Sequence, residues 1–232
     1  MPAGRPAGLR LSHIPLSEDG ALDVRIIELI ESAHRAEPWA LGSTLLALAR
    51  RLDLPEPPLL DRLRTLVVDG RLVRRFGYFA LSGHTVVLSP EQQAFFAALL
   101  PEDDTPAPIA YASLASEVRS SGVAGIAKAF DTLLATGALI RVGNDCYRGA
   151  QIAAMRRQIE AHFRGNARLT VAEFRDFART TRKHAVPLLE WFDDRGVTSR
   201  DGVDRVRGDA SSVVNERGDS HDELQRDQHD HD

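Results

Sequence analysis

Apolar residues recur with helical spacing at Leu22, Ile26, Ile30 and Ala33, then at Phe95, Phe96 and Leu99, and again at Ile152, Met155, Ile159 and Phe163. Each stretch predicts an amphipathic helix. The second opens on "SPEQ" (89–92), a serine cap followed by proline at the first helical position, where the missing N–H is not needed. Two shorter amphipathic patterns follow each of these helices. In the last pair, "TVAE" (170–173) has the form of a capping box, with Thr170 as N-cap and Glu173 three residues on, and Thr180 or Thr181 caps the helix after it. That helix has Ala185, Leu188, Leu189 and Phe192 as its core stripe and Trp191 at its margin. Pro187 lies inside it, removing one hydrogen bond to Lys183 and bending the axis early enough to be tolerated.

The pattern repeats in threes. "LVVDGRLVRRFGYFAL" (66–81), "LLATGALIRVGNDCYRG" (133–149) and "WFDDRGVTSRDGVDRVRG" (191–208) each run from an apolar helix end to a glycine (Gly70, Gly137, Gly196), an arginine four residues later (Arg74, Arg141, Arg200) and a second glycine (Gly77, Gly143, Gly202). The first glycine suits a helix C-terminus and the second a tight hairpin turn, both of which favour positive φ. Three helices followed by a two-stranded hairpin make a winged helix-turn-helix. The predicted fold class is therefore mainly α with small β-hairpins (α+β), as three tandem winged helix-turn-helix domains at 20–82, 83–149 and 150–208. A flexible lead-in (1–19) and an acidic tail (209–232) flank them. The short gaps between units predict a fairly stiff array, and "LPEDDTPAPIAY" (100–111) reads as a proline-broken loop within the second unit.

Charge changes this picture. The formal net charge of −4 argues against a nucleic-acid partner, but its distribution does not. Residues 150–208 carry 12 Lys/Arg against 8 Asp/Glu, whereas 209–232 carry 2 against 8. A basic module sits beside an acidic tail that is predicted to be disordered, having few large apolar residues. The single cysteine, Cys146, excludes an internal disulfide framework, fits a reducing cytoplasm, and is expected to be a small buried strand residue. No apolar run approaches the roughly 18 residues a membrane span needs. The eight histidines are scattered and suggest no catalytic or metal constellation; "HDHD" (229–232) reads as an incidental feature of the tail. Neither an enzyme nor a membrane partner is expected, and a cytoplasmic monomer is the default.

In a helix-turn-helix the second helix of the pair faces the groove. Here it begins with Arg182, Lys183 and His184. Cations at a helix N-terminus oppose the macrodipole, and a bound phosphate offsets that cost by using both the free N–H groups and the cations. The following hairpin supplies Arg200, Arg205 and Arg207, with Arg195 at the helix end, as further phosphate or base-edge contacts. Exposed arginines are usually only solubilising, so it is the set, and not any one of them, that points to a nucleic-acid partner. The second helices of units one and two start in "PEPPLLDRL" (55–63) and "SSGVAGIAKAF" (120–130), without such cations, and read as spacers or docking modules.

The run "LTVAEFRDFARTTRKHAVPLLEWFDDRGVTSRDGVDRV" (169–206), with "EFRD", "RKHAVPLLEWFD" and "GVTSRDG" as its signature, resembles the last winged helix of the selenocysteine-specific translation elongation factor, the SelB type. The resemblance implies an RNA-binding C-terminal module that tethers the factor to the selenocysteine-insertion mRNA hairpin, so that the charged tRNA is delivered at a recoded UGA codon. Carried over by position, the implied RNA-binding residues are Arg175, Arg182, Lys183, His184, Arg200, Asp201, Gly202 and Arg205. Implied partners are the mRNA hairpin, the GTPase and tRNA-binding portion of the factor, and the ribosome. GTP and magnesium are implied for the full-length family member, with no cofactor expected in this chain. Two departures stand out. The sequence has no G-x-x-x-x-G-K-[ST] motif, and its start lies where such a GTPase would already have ended, suggesting a C-terminal portion or a split or truncated product. The wing also carries a single arginine before its turn. The alternatives are a winged-helix DNA-binding regulator and a tandem winged-helix scaffold for partner proteins.

Overall fold

The protein is described by a computed structural model over residues 18–100 and 107–209. Nearly all of the lead-in, half of the proline-broken loop (101–106) and nearly all of the acidic tail, with its "HDHD" end, lie outside the described residues.

The chain divides into two compact units, 1–89 and 90–232. The first contains α1 (Glu18–Ala36), β1 (Ser43–Thr44), α2 (Leu45–Leu52), α3 (Glu56–Val68), β2 (Leu72–Arg75) and β3 (Tyr78–Leu81). β2 and β3 form an antiparallel hairpin with Arg75 opposite Tyr78, and β1 adds to the free edge of β3. Apolar positions at helical spacing become the core: Ile26 and Ile30 from α1 meet Leu48 of α2, Leu59, Leu63 and Leu66 of α3, and Leu72 and Phe79 of the hairpin. A buried carboxylate fastens these layers together. Asp23 of α1 accepts hydrogen bonds from Arg62 of α3 and from Arg71 beside the hairpin, the latter at 3.2 Å. A charge this far from water is tolerated because its partners are charged donors.

The second unit holds two more copies of this arrangement. Its elements are α4 (Pro90–Leu99), β4 (Ile109–Ala110), α5 (Tyr111–Ser120), α6 (Ile126–Thr136), β5 (Leu139–Val142), β6 (Asp145–Arg148), α7 (Gly149–His162), α8 (Val171–Phe177), α9 (Arg182–Asp193), β7 (Thr198–Asp201) and β8 (Asp204–Arg207). The sheet orders are β4-β6-β5 and β7-β8, all antiparallel, and Leu169 bridges Arg205 where the first two copies have a short third strand. The two copies are not separately closed. Val142 and Tyr147 of the β5–β6 hairpin are buried in the same cluster as Ile152, Met155 and Ile159 of α7 and Leu188, Leu189 and Phe192 of α9. The wing of one copy thus completes the core of the next, and β6 runs into α7 at Gly149 without a linker.

In the second and third copies a further glycine marks the end of the repeat. At Gly149 an added Cβ would lie 2.2 Å from the carbonyl oxygen of Gly137, and at Gly208 one would lie 2.2 Å from that of Gly196. At both sites the returning strand presses on the turn that ended the preceding helix, bonded by Gly149 N–H to Ala138 O at 2.8 Å and Gly208 N–H to Val197 O at 3.1 Å. Cys146 is fully buried on β6, and burial raises its thiol pKa, which disfavours a thiolate there. Among the described residues no helix is long and apolar enough to cross a membrane.

Candidate nucleic-acid interface

Leu169 lies in the bridge to β8, and Thr170 then caps α8. Its side chain accepts from the Glu173 N–H at 3.1 Å, and its own N–H donates to the Glu173 carboxylate at 2.8 Å. These bonds hold the Glu173 pKa below the usual carboxylate value, so the box stays closed at neutral pH. α8 ends at a left-handed residue, Arg179 (φ +50°), and Thr180 N–H returns to Arg175 O at 3.0 Å. The tight turn delivers Thr181 as the N-cap of α9 in extended conformation, with no side-chain hydrogen bond to the helix. Ala185, Leu188, Leu189 and Phe192 are all fully buried. Their burial fixes the rotation of α9 and leaves Arg182 and Lys183 exposed at its first turn. Pro187 is inside the helix, as the sequence predicts.

His184, the third residue of this cationic start, faces inward. Its Nδ1 is 2.9 Å from Oδ2 of Asp145 on β6, and both side chains are about four-fifths buried. The wing of the preceding copy therefore grips the first turn of α9 at a polar contact, beside the apolar contacts of Val142 and Tyr147. His184 holds the helix in place and presents little surface to a ligand.

The hairpin sorts its arginines by register. Arg200 and Arg205 are cross-strand partners, yet their side chains have different fates. Arg200 is exposed, with Nε bonded to the Gly202 carbonyl at 3.3 Å. Arg205 is only 3% exposed, and its Nε donates to Asp193 Oδ2 at 3.3 Å. Asp193 also accepts from the Thr198 hydroxyl. This buried group ties the last turn of α9 to both strands of the wing. Sequence reasoning set Arg205 among the surface contacts because an arginine in a hairpin is usually exposed; here the carboxylate at the helix end draws it inside.

Of the other expected residues, Arg175 is exposed but paired with its neighbour Asp176, Nε to Oδ1 at 2.7 Å. Asp201 is bonded by Arg168 at 2.5 Å, and Gly202 occupies the turn at φ +66°. The structure thus keeps two exposed groups: Arg182 and Lys183 with Arg175 on the helix pair, and Arg200 on the wing. Arg207 is also exposed on β8. Sequence reasoning missed Arg168, which reaches both Asp201 and, at 3.7 Å, Asp204. The signal was present as a basic residue just before the strand-like bridge, but only the fold brings it to the wing turn. Arg195 stacks on Trp191, its guanidinium carbon 3.7 Å from a ring centroid, which commits that ring to packing.

Residues 161–207, the stretch holding α8, α9 and the β7–β8 wing, match the family described as "Elongation factor SelB, winged helix". The chain is 25% identical over 184 residues to a selenocysteine-specific elongation factor of Desulfomicrobium baculatum, an alignment that takes in 77% of this chain and 29% of that relative. It therefore spans under a third of the relative's length. Among solved structures, the mRNA-binding domain of elongation factor SelB from E. coli, in complex with SECIS RNA, aligns at 27% identity and a TM-score of 0.40. That alignment covers 53% of this chain and all of the other.

Proposed function

We propose that this chain, whose residues 161–207 match the SelB winged-helix family, is an RNA-binding C-terminal module of a selenocysteine-specific elongation factor. In this reading it tethers the factor to a hairpin in the message. The observation that carries it is that the matched stretch coincides with the one helix pair, among the described residues, whose second helix exposes two adjacent cations in its first turn, Arg182 and Lys183, and is followed by a wing that exposes Arg200 and Arg207. A phosphate at the first turn of α9 gains free N–H donors and two charges together. RNA hairpins offer such phosphates beside splayed bases that a wing can reach. Within the proposal, Arg175, Asp201 and Gly202 shape the rims of the two contacts, while Arg205 and His184 act by holding the wing and the helix. GTP and tRNA handling, and docking to the ribosome, belong to the rest of the factor.

The test is binding of the full chain to RNA hairpins with loops or bulges, including a selenocysteine-insertion element, against duplex DNA of matched length at two salt concentrations. The expected result is hairpin-selective binding that weakens with salt. Lys183→Glu and Arg200→Glu each lower the affinity and reduce the slope of log K against log salt by about 0.7–0.9. Equal binding to duplex DNA, or no response to either charge reversal, refutes the proposal.

A further inference from the structure

The densest positive charge on any of the three wings is on the first. Residues 70–90 contain Arg71, Arg74 and Arg75 and no carboxylate, whereas the second wing sets Asp145 against Arg141 and Arg148, and the third sets Asp201 and Asp204 against its three arginines. Arg71 is engaged by Asp23. Arg74 and Arg75 are exposed, and their guanidinium groups make no hydrogen bond or ion pair among the described residues, that of Arg74 lying only over the ring of Phe79 at 5.9 Å. In the other wings the equivalent arginine is tied to the turn: Arg141 bonds the Gly143 carbonyl at 2.9 Å and stacks on Tyr111, and Arg200 bonds that of Gly202.

The turn itself differs as well. Arg75, Phe76, Gly77 and Tyr78 form a two-residue hairpin turn whose central residues both have positive φ, +53° at Phe76 and +79° at Gly77. That geometry favours asparagine, aspartate or glycine at its first position, and a bulky side chain there carries a steric cost. The cost secures no burial, since Phe76 is 57% exposed. A strained, solvent-facing aromatic directly after two arginines with free guanidinium groups points to a ligand and not to packing.

We infer that the tip of the first wing is a separate contact for single-stranded RNA, in which Phe76 stacks on an unpaired base and Arg74 and Arg75 hold the flanking phosphates. An aromatic face takes any base, and a cationic flank follows any backbone, so the contact is tolerant of sequence. It belongs to the first compact unit and the proposed hairpin contact to the second, and it does not depend on that contact.

The experiment uses the full chain carrying Lys183→Glu and Arg200→Glu, which removes the third wing's contribution, and a fluorescein-labelled oligouridylate of about 12 nucleotides. A matched duplex RNA serves as comparison. Residual binding to the single strand is expected. Phe76→Asn lowers it about fivefold or more, while the melting temperature stays level or rises because asparagine accepts the left-handed turn. Phe76→Trp retains binding, and Arg75→Glu weakens it. Because one substitution is predicted to lower affinity without lowering stability, a structural role for Phe76 gives a different pattern. Unchanged affinity in Phe76→Asn, or no single-strand binding in the charge-reversed background, overturns the inference and leaves the tip as a protein contact.

Discussion

Replacing Arg205 by methionine removes one partner of a buried ion pair and leaves the other in place. Arg205 is 3% exposed, and Asp193 keeps only its bond from the Thr198 hydroxyl once the guanidinium is gone. Breaking a buried pair on one side costs about 3–5 kcal/mol, because the remaining charge is uncompensated. The Asp193 side chain is 18% exposed and can draw in some water, which places the expected loss near the lower end, about 3 kcal/mol. The cross-strand neighbour Arg200 is the internal control. Its exposed guanidinium makes Arg200→Met cost at most about 0.5 kcal/mol. The two tryptophans, Trp39 and Trp191, lie in different compact units. Urea unfolding in a Trp39→Phe background therefore reads the second unit through Trp191 fluorescence. A 3 kcal/mol loss moves the midpoint down by about 1–3 M urea. Adding Asp193→Leu to Arg205→Met should recover part of the loss, since no unpaired charge then remains buried. If Arg205→Met and Arg200→Met unfold within about 0.5 kcal/mol of each other, the inward assignment of Arg205 is wrong and it returns to the surface set.

Gly149→Ala should destabilise the second unit strongly, since its Cβ would meet the Gly137 carbonyl oxygen at 2.2 Å, whereas at Gly165 nothing lies within 4 Å and alanine should be tolerated. Trp191-monitored unfolding separates the two. His34 is buried and stacked on His84 at 3.6 Å between ring centroids, and burial, then repulsion from His84, lowers its pKa from 6.5 to about 4. The unfolded chain takes up a proton near pH 6.5 and the folded chain only near 4. Stability of the first unit is therefore lost as pH falls through that window, by up to about 3 kcal/mol. Trp39-monitored unfolding at pH 7 and 4.5 should show the loss in the parent chain and a flatter profile in His34→Leu.

Much of the architecture is local and so is legible in the chain. Helical spacing of apolar residues, the capping box at Thr170 and Glu173, and Gly70, Gly137 and Gly196 at positive φ each act over a few residues. The buried stripe of α9 follows from the same periodicity. The excess charge of the first wing is also written plainly in the sequence. Its cations stand at the hairpin turn and not at the start of a helix, so the rule that the second helix of a pair faces the groove does not point to them.

What tertiary structure alone decided is which side chain pairs with which. Arg200 and Arg205 look alike in sequence, but Asp193 lies beside only one of them, and that requires α9 and the wing to be folded together. His184 looks like its neighbours Arg182 and Lys183 until Asp145, 39 residues earlier, takes its Nδ1. The second hairpin's apolar residues satisfy a strand pattern whichever core they enter, and only packing puts Val142 and Tyr147 in the core of the following copy. Periodicity encodes which face of an element is apolar. The partner of a charged or apolar group is set by distances between segments far apart in the chain, and no short-range pattern carries those distances.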